Sequence, residues 1–448
     1  MGDGVSPGRG GGARAREGEP PAAAHDGRRT ADGAARLPRA VWLFGATSLL
    51  NDFASEMIYP LLPAFVTRTL GGSALDLGVL DGLADSVAAF FKLVAGYLGE
   101  RPRLRAPLVV GGYAIAAVIR PLVAAAGAAW QVIGLRATDR VGKGIRTPPR
   151  DTIIAEVAAP EVRGRAFGLH RAADHVGAIL GPLTASALIA VGLGMRRVFW
   201  LAAVPGGFAV LAAWGAVRAA RRAAGAPPEA HARAGAPRGL AAGAAAGQEG
   251  GGAAPAGAGA TPRAAFVTFL GVLALAMLFR APETLLILRA QDLGVAVALV
   301  PILWAALHVV RSSLSYPGGM LVDRWGARRT LLVGWLAYAA LAWAFARATT
   351  TAQAWAVFLA FGVVAALTES PERTLVAGLA PGGRQGRGFG WYHGSVSVVA
   401  LPGAALFGWI YQRWDGPTAL GLSAAVTLAA AAGLGVSSSV WGRGRSAG

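Results

Sequence analysis

Residues Gly319-Met320-Leu321-Val322-Asp323-Arg324-Trp325-Gly326-Ala327-Arg328-Arg329 close an apolar stretch with a charged, glycine-punctuated turn. About half a chain earlier, another apolar stretch ends in Gly96, Leu98, Glu100, Arg101 and Arg105 in the same order. A second pair repeats the relationship: Pro149, Thr152, Ala155, Gly164, Arg165, Phe167 and Gly168 return as Pro371, Thr374, Ala377, Gly386, Arg387, Phe389 and Gly390. The offset is nearly equal in both places, so the chain reads as a duplication. In an apolar chain, two like halves suit a transporter that rocks about a site between them.

Composition places the chain in a membrane. Of 448 residues, 54% are hydrophobic and 15% charged, and the mean hydropathy is +0.49, too apolar for a soluble protein of this size. Apolar stretches of about 20 residues, enough to cross a bilayer, recur along most of it. They predict twelve spans near 39–64, 77–99, 106–127, 130–150, 166–191, 197–217, 264–287, 296–318, 329–347, 352–376, 388–411 and 418–440. Lipid requires each backbone hydrogen bond to be made within the segment, so the spans are helices. The expected architecture is an all-α integral membrane protein with twelve transmembrane helices in two pseudo-symmetric six-helix bundles, 39–218 and 263–441. A disordered tail (1–38), a flexible Ala/Gly/Pro/Arg linker (219–262) and a short tail (442–448) complete the chain.

The net charge of +18 raises the question of nucleic acid, and its distribution answers it. Arg101, Arg103, Arg105, Arg163, Arg165, Arg324, Arg328, Arg329 and the basic residues of the tails and linker share one side of the expected membrane. The opposite loops hold Arg68, Arg196, Arg197, Arg289, Arg347 and Arg413. The positive-inside rule makes the first side, with both termini, cytoplasmic. No nucleic-acid partner is expected. Cysteine is absent, which removes disulfides, thiolate metal sites and cysteine nucleophiles. No cofactor motif or enzyme signature appears in a plausible context, and a monomer is expected.

Charges inside spans are costly, about 2.5–3.5 kcal/mol each at the bilayer centre on the insertion scale, so they should face protein or water and pair. Apart from Arg120, spans 3, 6, 9 and 12 carry none, whereas spans 1, 2, 4, 5, 7, 8, 10 and 11 must line something wet.

This pattern resembles the major facilitator superfamily over about residues 39–441, whose halves enclose a central cavity and place helices 3, 6, 9 and 12 outside. Gly319 to Arg329 is similar to that superfamily's cytoplasmic loop motif, which implies a gating role for Gly319, Asp323, Arg324, Gly326, Arg328 and Arg329, and by repetition for Gly96, Glu100 and Arg101. The N-terminal copy departs from the motif, with Glu100 for the usual aspartate. Gly177-Ala178-Ile179-Leu180-Gly181-Pro182 resembles the motif of the antiporter branch, and physically gives a small-residue face for close helix approach with a permitted bend at Pro182. Span 4, Arg136-Ala137-Thr138-Asp139-Arg140-Val141-Gly142-Lys143, is similar to a bacterial subgroup some of whose members are regarded as nickel or other metal-ion exporters.

Candidate site residues follow from the charges. Asp52 and Glu56 lie one turn apart on span 1, so each disfavours ionisation of the other and one could carry a coupling proton. The alternative is that they neutralise Arg136 or Arg140 and never titrate. Arg136, Asp139, Arg140 and Lys143, with Asp174, Glu283 and Glu369, are expected to line the cavity and contact substrate. A transported metal would meet imidazole and carboxylate, with His170, Asp174 and His175 as the candidate ligands. The expected function is a secondary transporter of a small molecule or ion, a proton-coupled exporter. A divalent-metal efflux permease and a non-transporting receptor on the same fold are the alternatives.

Overall fold

The computed structural model describes residues 1–2, 37–159, 162–224, 262–379 and 385–436. Most of the expected N-terminal tail, the linker over 225–261 and the C-terminal tail lie outside the described residues. Among them the chain is helical, without strands, and passes twelve times through the bundle. The first half contributes α1 (Arg39–Glu56), α2 (Ala74–Gly99), α3 (Pro102–Leu122), α4 (Ala129–Val157), α5 (Arg163–Ala190) and α6, the last in two pieces (Met195–Leu201 and Ala203–Ala224). The second contributes α7 in two pieces (Pro262–Leu278 and Glu283–Asp292), α8 (Val300–Trp325), α9 (Ala327–Arg347), α10 (Thr351–Leu379), α11 (Gln385–Arg413) and α12 (Gly416–Val436).

Local chemistry sets the ends. Ser73 and Asp76 form a reciprocal capping box at the start of α2, which satisfies two orphan amides of the first turn. Gly326 sits at φ 81° between α8 and α9, a left-handed conformation that glycine adopts without steric cost. The expected linker start at 219 is corrected, because the Arg/Ala run to Ala224 continues α6; both residue types are strong helix formers.

The duplication is legible in three dimensions. Gly71 and Gly294 take positive φ at the α1–α2 and α7–α8 turns. The Gln131 side chain accepts from the Gly127 and Ala128 amides before α4, and Gln353 does the same for Thr349 and Thr350 before α10. Helices α1 and α7 also break at repeat-related places. After Glu56 the chain turns through Tyr59–Leu61 with Pro60 in the first turn, and α7 breaks ahead of Pro282. The freed backbone at the α7 break is satisfied by side chains: Tyr338 accepts from the Ala281 amide at 2.7 Å and Ser423 donates to the Phe279 carbonyl at 2.5 Å. Such rescue is what permits a break inside a membrane.

Nine of the twelve are long and apolar enough to cross a membrane unaided among the described residues. The three that fall short, α1, α2 and α4, carry most of the intramembrane charges of the first half, including Asp52, Asp85 and Lys143. Their charged positions turn to the interior of the bundle, as such residues in a membrane must.

The core is continuous on one face and divided on the other. One cluster joins residues of both halves, from Met57 and Phe65 to Trp304, Phe345 and Phe407. Toward the face where α1 begins and α12 ends, the first half has its own cluster around Phe44, Tyr113 and Ile154, and the second has a separate one around Phe269, Trp335 and Leu434. The halves are therefore closed together at one membrane face and parted at the face that carries the ends of α1 and α12. Helices α2 and α11 touch backbone to backbone at the closed side. A Cβ added at Gly78 would lie 2.2 Å from the Ala404 carbonyl oxygen, and one at Gly408 would lie 2.5 Å from that of Ala74.

Candidate functional site

A cavity with two lobes lies between the halves, the larger about 790 Å³ and the deeper one about 380 Å³. Glu56, Lys143 and His308 line both lobes and mark their junction. Every lining residue comes from α1, α2, α4, α5, α7, α8, α10 or α11, or from the breaks in α1 and α7; α3, α6, α9 and α12 contribute none. The larger lobe sits between the two separate cores, so it opens toward the parted face.

Asp52, Glu56, Lys143, Asp174, His175 and Glu369 line the larger lobe, and Arg136, Arg140 and Glu283 the deeper one. Asp139 is placed elsewhere. It is 2% exposed and turned toward α3, where Arg120 Nε donates to it at 2.8 Å. Arg136 and Arg140 stand 3.6 and 3.5 Å from its other oxygen, and neither reaches Asp52 or Glu56. Direct pairing of the α1 acids with Arg136 or Arg140 is not what the structure holds: the single carboxylate of Asp139 is shared by Arg120, Arg136 and Arg140, and Arg136 also lies over the Tyr59 ring at 4.6 Å, a favourable cation–π geometry.

Asn51 connects that buried network to the cavity wall, a role its residue type did not announce. Its side-chain oxygen accepts from Arg120 and Arg146 at 3.0 and 3.2 Å, its carbonyl accepts from Arg120 at 2.8 Å, and its amide donates to Asp52 at 2.8 Å. Each buried donor of Arg120 thereby finds a partner, the condition for keeping a charge inside the bundle.

Two acids bridge the halves near the closed face. Trp304 Nε1 of α8 donates to Glu56 at 2.7 Å. Asp81 of α2 accepts from the Thr284 hydroxyl at 2.7 Å, from the Thr284 amide at 3.1 Å and from the Tyr59 hydroxyl at 3.2 Å. Nothing in the sequence marks Thr284 or Trp304; a lone tryptophan on an apolar helix reads as core, and Trp304 is indeed 2% exposed.

His170 and Asp174 approach to 4.0 Å, but His175 does not join them in a ligating group. His170 is buried against α1, with Nε2 3.3 Å from the Ser48 hydroxyl, which also donates to Asp174, whereas His175 lines the cavity. Among the described residues no three His, Asp or Glu side chains form a metal-binding group. The glycines of α5 serve packing: a Cβ at Gly177 would lie 2.3 Å from the Leu49 carbonyl oxygen, and one at Gly181 would lie 2.5 Å from that of Phe53. Pro182 follows within the same helix.

The loop motifs lie at the parted face. Glu100, Arg101, Arg324, Gly326 and Arg329 are exposed, and a Cβ at Gly96 or Gly319 would meet nothing within 4 Å. Arg328 donates to the Leu434 and Gly435 carbonyls at the end of α12, at 2.6 and 2.9 Å. Arg105 pairs with Glu156 at 2.6 Å. The side chain of Asp323 lies outside what is described.

A duplicated twelve-helix membrane bundle around a charged cavity, parted at one face only, is built to expose a central site alternately to the two sides; the protein is a multi-pass membrane transporter and not an enzyme. The chain belongs to the Major Facilitator Superfamily, whose sequence profile matches residues 44–310 and 264–438. An uncharacterized protein of Mycobacterium tuberculosis is 30% identical over 388 residues, covering 84% of this chain and 87% of the relative. Multidrug resistance protein MdtH of Edwardsiella ictaluri is 26% identical over 169 residues, 38% of this chain and 41% of that protein. Among solved structures, the nucleoside transporter NupG superposes with a TM-score of 0.68 at 12% identity over 89% of this chain and 98% of its own, a likeness of fold.

Proposed function

We propose that the protein is a proton-coupled exporter of a small solute across the cytoplasmic membrane, with both termini cytoplasmic. The carrying observation is the placement of Asp52 and Glu56 one turn apart on α1, both on the cavity wall, with Glu56 at the junction of the lobes and bonded to Trp304 of the other half. A carboxylate so placed is reached from the parted face and takes part in closing the other, so its protonation alters both the cavity charge and the contact between halves. That is the linkage an antiporter needs.

The basic loops at the parted face support a cytoplasmic orientation for that face. A solute then loads from the cytoplasm, and the similarity of 169 residues of the chain to a multidrug resistance protein supports outward movement. The loop motifs, with Asp323, Arg324 and Arg328, are the contacts proposed to close the cytoplasmic face in the alternate state. A divalent-metal cargo is the weaker reading, since no cluster of three ligating side chains forms among the described residues.

The test is accumulation of a panel of anionic, neutral and cationic fluorescent solutes in everted membrane vesicles under an imposed pH gradient. Accumulation that collapses with a protonophore and is lost in Glu56→Gln or Asp52→Asn is the expected result. Accumulation that ignores the gradient, or the same pH dependence in both variants, would remove the proton-coupling assignment.

A further inference from the structure

The hydrogen bonds around the larger lobe separate its charges into engaged and unengaged groups. Seven basic and four acidic side chains line it. Arg146 donates to Asn51 and to the Gly112 carbonyl, Arg150 pairs with Asp151, and Arg311 pairs with Glu283. Lys92, Lys143, Arg171 and Arg373 are exposed to the lobe and make no ion pair or hydrogen bond there. Of the acids, Asp52 accepts from Asn51, Glu56 from Trp304 and Asp174 from Ser48. Glu369 alone among them has no partner and faces the lobe.

The four cations without an ion-pair partner share the lobe with four carboxylates, of which Asp52, Glu56 and Asp174 are hydrogen-bonded to neutral donors and keep their charge. With Arg146 counted and the paired Arg150 and Arg311 set aside, the lining holds five cations against four acids. The four come from α2, α4 and α5 of the first half and α10 of the second, so they face one another across the lobe. The cations therefore stand in slight excess over the acids, with their donors unspent, and an entering anion adds the missing negative charge in a partly water-excluded space where charge interactions are stronger than in bulk water. Lysine and arginine ends with all donors available are the groups that take carboxylate, phosphate or sulfonate oxygens, the arginines in two-point fashion.

We infer that the cargo is an organic anion carrying carboxylate, phosphate or sulfonate groups, held between Lys92, Lys143 and Arg171 of the first half and Arg373 of the second. This rests on the transporter reading above and names its substrate class. The anion does more than fill the lobe. By drawing Arg373 toward the first-half cations it supplies attraction that the empty cavity lacks, so the loaded protein closes the parted face more readily than the empty one. The lobe, about 790 Å³, has room for a molecule of several rings.

The experiment compares two dyes on the same xanthene skeleton, anionic carboxyfluorescein and cationic rhodamine 123, by fluorescence anisotropy with the detergent-purified full chain. Carboxyfluorescein is expected to bind more tightly, and its affinity to fall with added salt. Lys92→Gln, Lys143→Gln, Arg171→Gln and Arg373→Gln are each expected to weaken it roughly tenfold, the usual size of a lost charged hydrogen bond, while Lys143→Arg retains it. Lys143→Glu combined with Arg373→Glu is expected to reverse the preference toward rhodamine 123. The salt titration on the parent protein stands even where a variant folds poorly.

Equal or tighter binding of rhodamine 123 to the parent, no binding of carboxyfluorescein at low salt, or unchanged carboxyfluorescein affinity in all four folded glutamine variants would overturn the inference. Binding in detergent needs no gradient. Anion binding without gradient-driven accumulation in vesicles would therefore count against proton coupling alone. Gradient-driven accumulation of cationic solutes only would count against the anion alone.

Discussion

Glu56 of α1 accepts a hydrogen bond from the indole Nε1 of Trp304 of α8 at 2.7 Å, across the boundary between the two halves. Trp304 belongs to the core that joins the halves at the closed face, and it also packs against Tyr59 with ring centroids 5.2 Å apart. The bond is made to a charged acceptor in a largely buried setting, where such bonds are stronger than between neutral groups.

Trp304→Phe removes the donor and keeps most of the apolar contact. The expected outcome is a shift toward the state open at the opposite face. The chain has no cysteine, so a cysteine placed at Ser186, which is buried where its hydroxyl donates to the Ala298 carbonyl at 2.6 Å, reports that face alone. Its labelling rate should rise about tenfold in the Trp304→Phe background, the equivalent of one lost charged bond. An unchanged rate would mean that the bond does not hold the face closed.

Arg120 and Asp139 make the second testable pair. Removing one member of a buried pair strands the other, at about 3–5 kcal/mol, whereas replacing both by apolar residues can be nearly neutral. Asp139→Leu is expected to lower the unfolding temperature in detergent more than the double variant Arg120→Leu/Asp139→Leu. Asp139 also faces Arg136, Arg140 and, through Asn51, Arg146, so the double variant should recover only part of the loss. A double variant no better than the worse single one would show that Asp139 serves the other arginines instead.

This pair also marks how far the sequence could be read. Apolar runs and their freedom from charge place helices α3, α6, α9 and α12 away from the cavity, because a bilayer imposes its cost on each segment separately. The orientation of a charge within a helix is another matter. Arg120 is the lone charge of its span, yet nothing in one dimension says that α3 packs behind α4 and brings it to Asp139. The same holds for Asn51, whose amide matters because three elements meet at it. The breaks of α1 and α7 are marked by Pro60 and Pro282, but a proline alone does not distinguish a bend from a break; the hydroxyls of Tyr338 and Ser423, far along the chain, complete the latter.

Gly177 and Gly181 let α5 lie directly on the α1 backbone beside Asp52 and Glu56. Gly177→Ala forces a Cβ to within 2.3 Å of the Leu49 carbonyl oxygen, which the helices relieve only by separating, at about 1–3 kcal/mol for overpacking. The expected result is a lower unfolding temperature and reduced transport. Gly168→Ala is the control, since it meets nothing within 4 Å and should leave both unchanged. Loss of transport with an unaltered unfolding temperature in Gly177→Ala would point to a moving contact between α1 and α5 in place of a packing one.

The last prediction concerns Asp81 of α2 and Thr284, the second residue of the resumed α7. Thr284 gives Asp81 both its hydroxyl and its backbone amide, so the acid bridges the halves by capping the new helix start, where unpaired amides and the helix dipole favour a negative group. The two halves of this contact can be separated experimentally. Thr284→Val removes the hydroxyl and leaves the amide, so the latch should weaken by about 1 kcal/mol, the usual worth of one hydrogen bond. Asp81→Asn removes the charge and keeps an oxygen acceptor for one donor, so it loses the dipole contribution as well and should weaken the latch further. Asp81→Ala loses everything. Labelling of the cysteine at Ser186 is therefore expected to rise in the order Thr284→Val, Asp81→Asn, Asp81→Ala. Tyr59→Phe, which loses only the longer 3.2 Å contact, should have the smallest effect of the series. If Tyr59→Phe matches Asp81→Ala, the acid works through α1 and not through the break in α7, and the closed face is held within the first half instead of between the two.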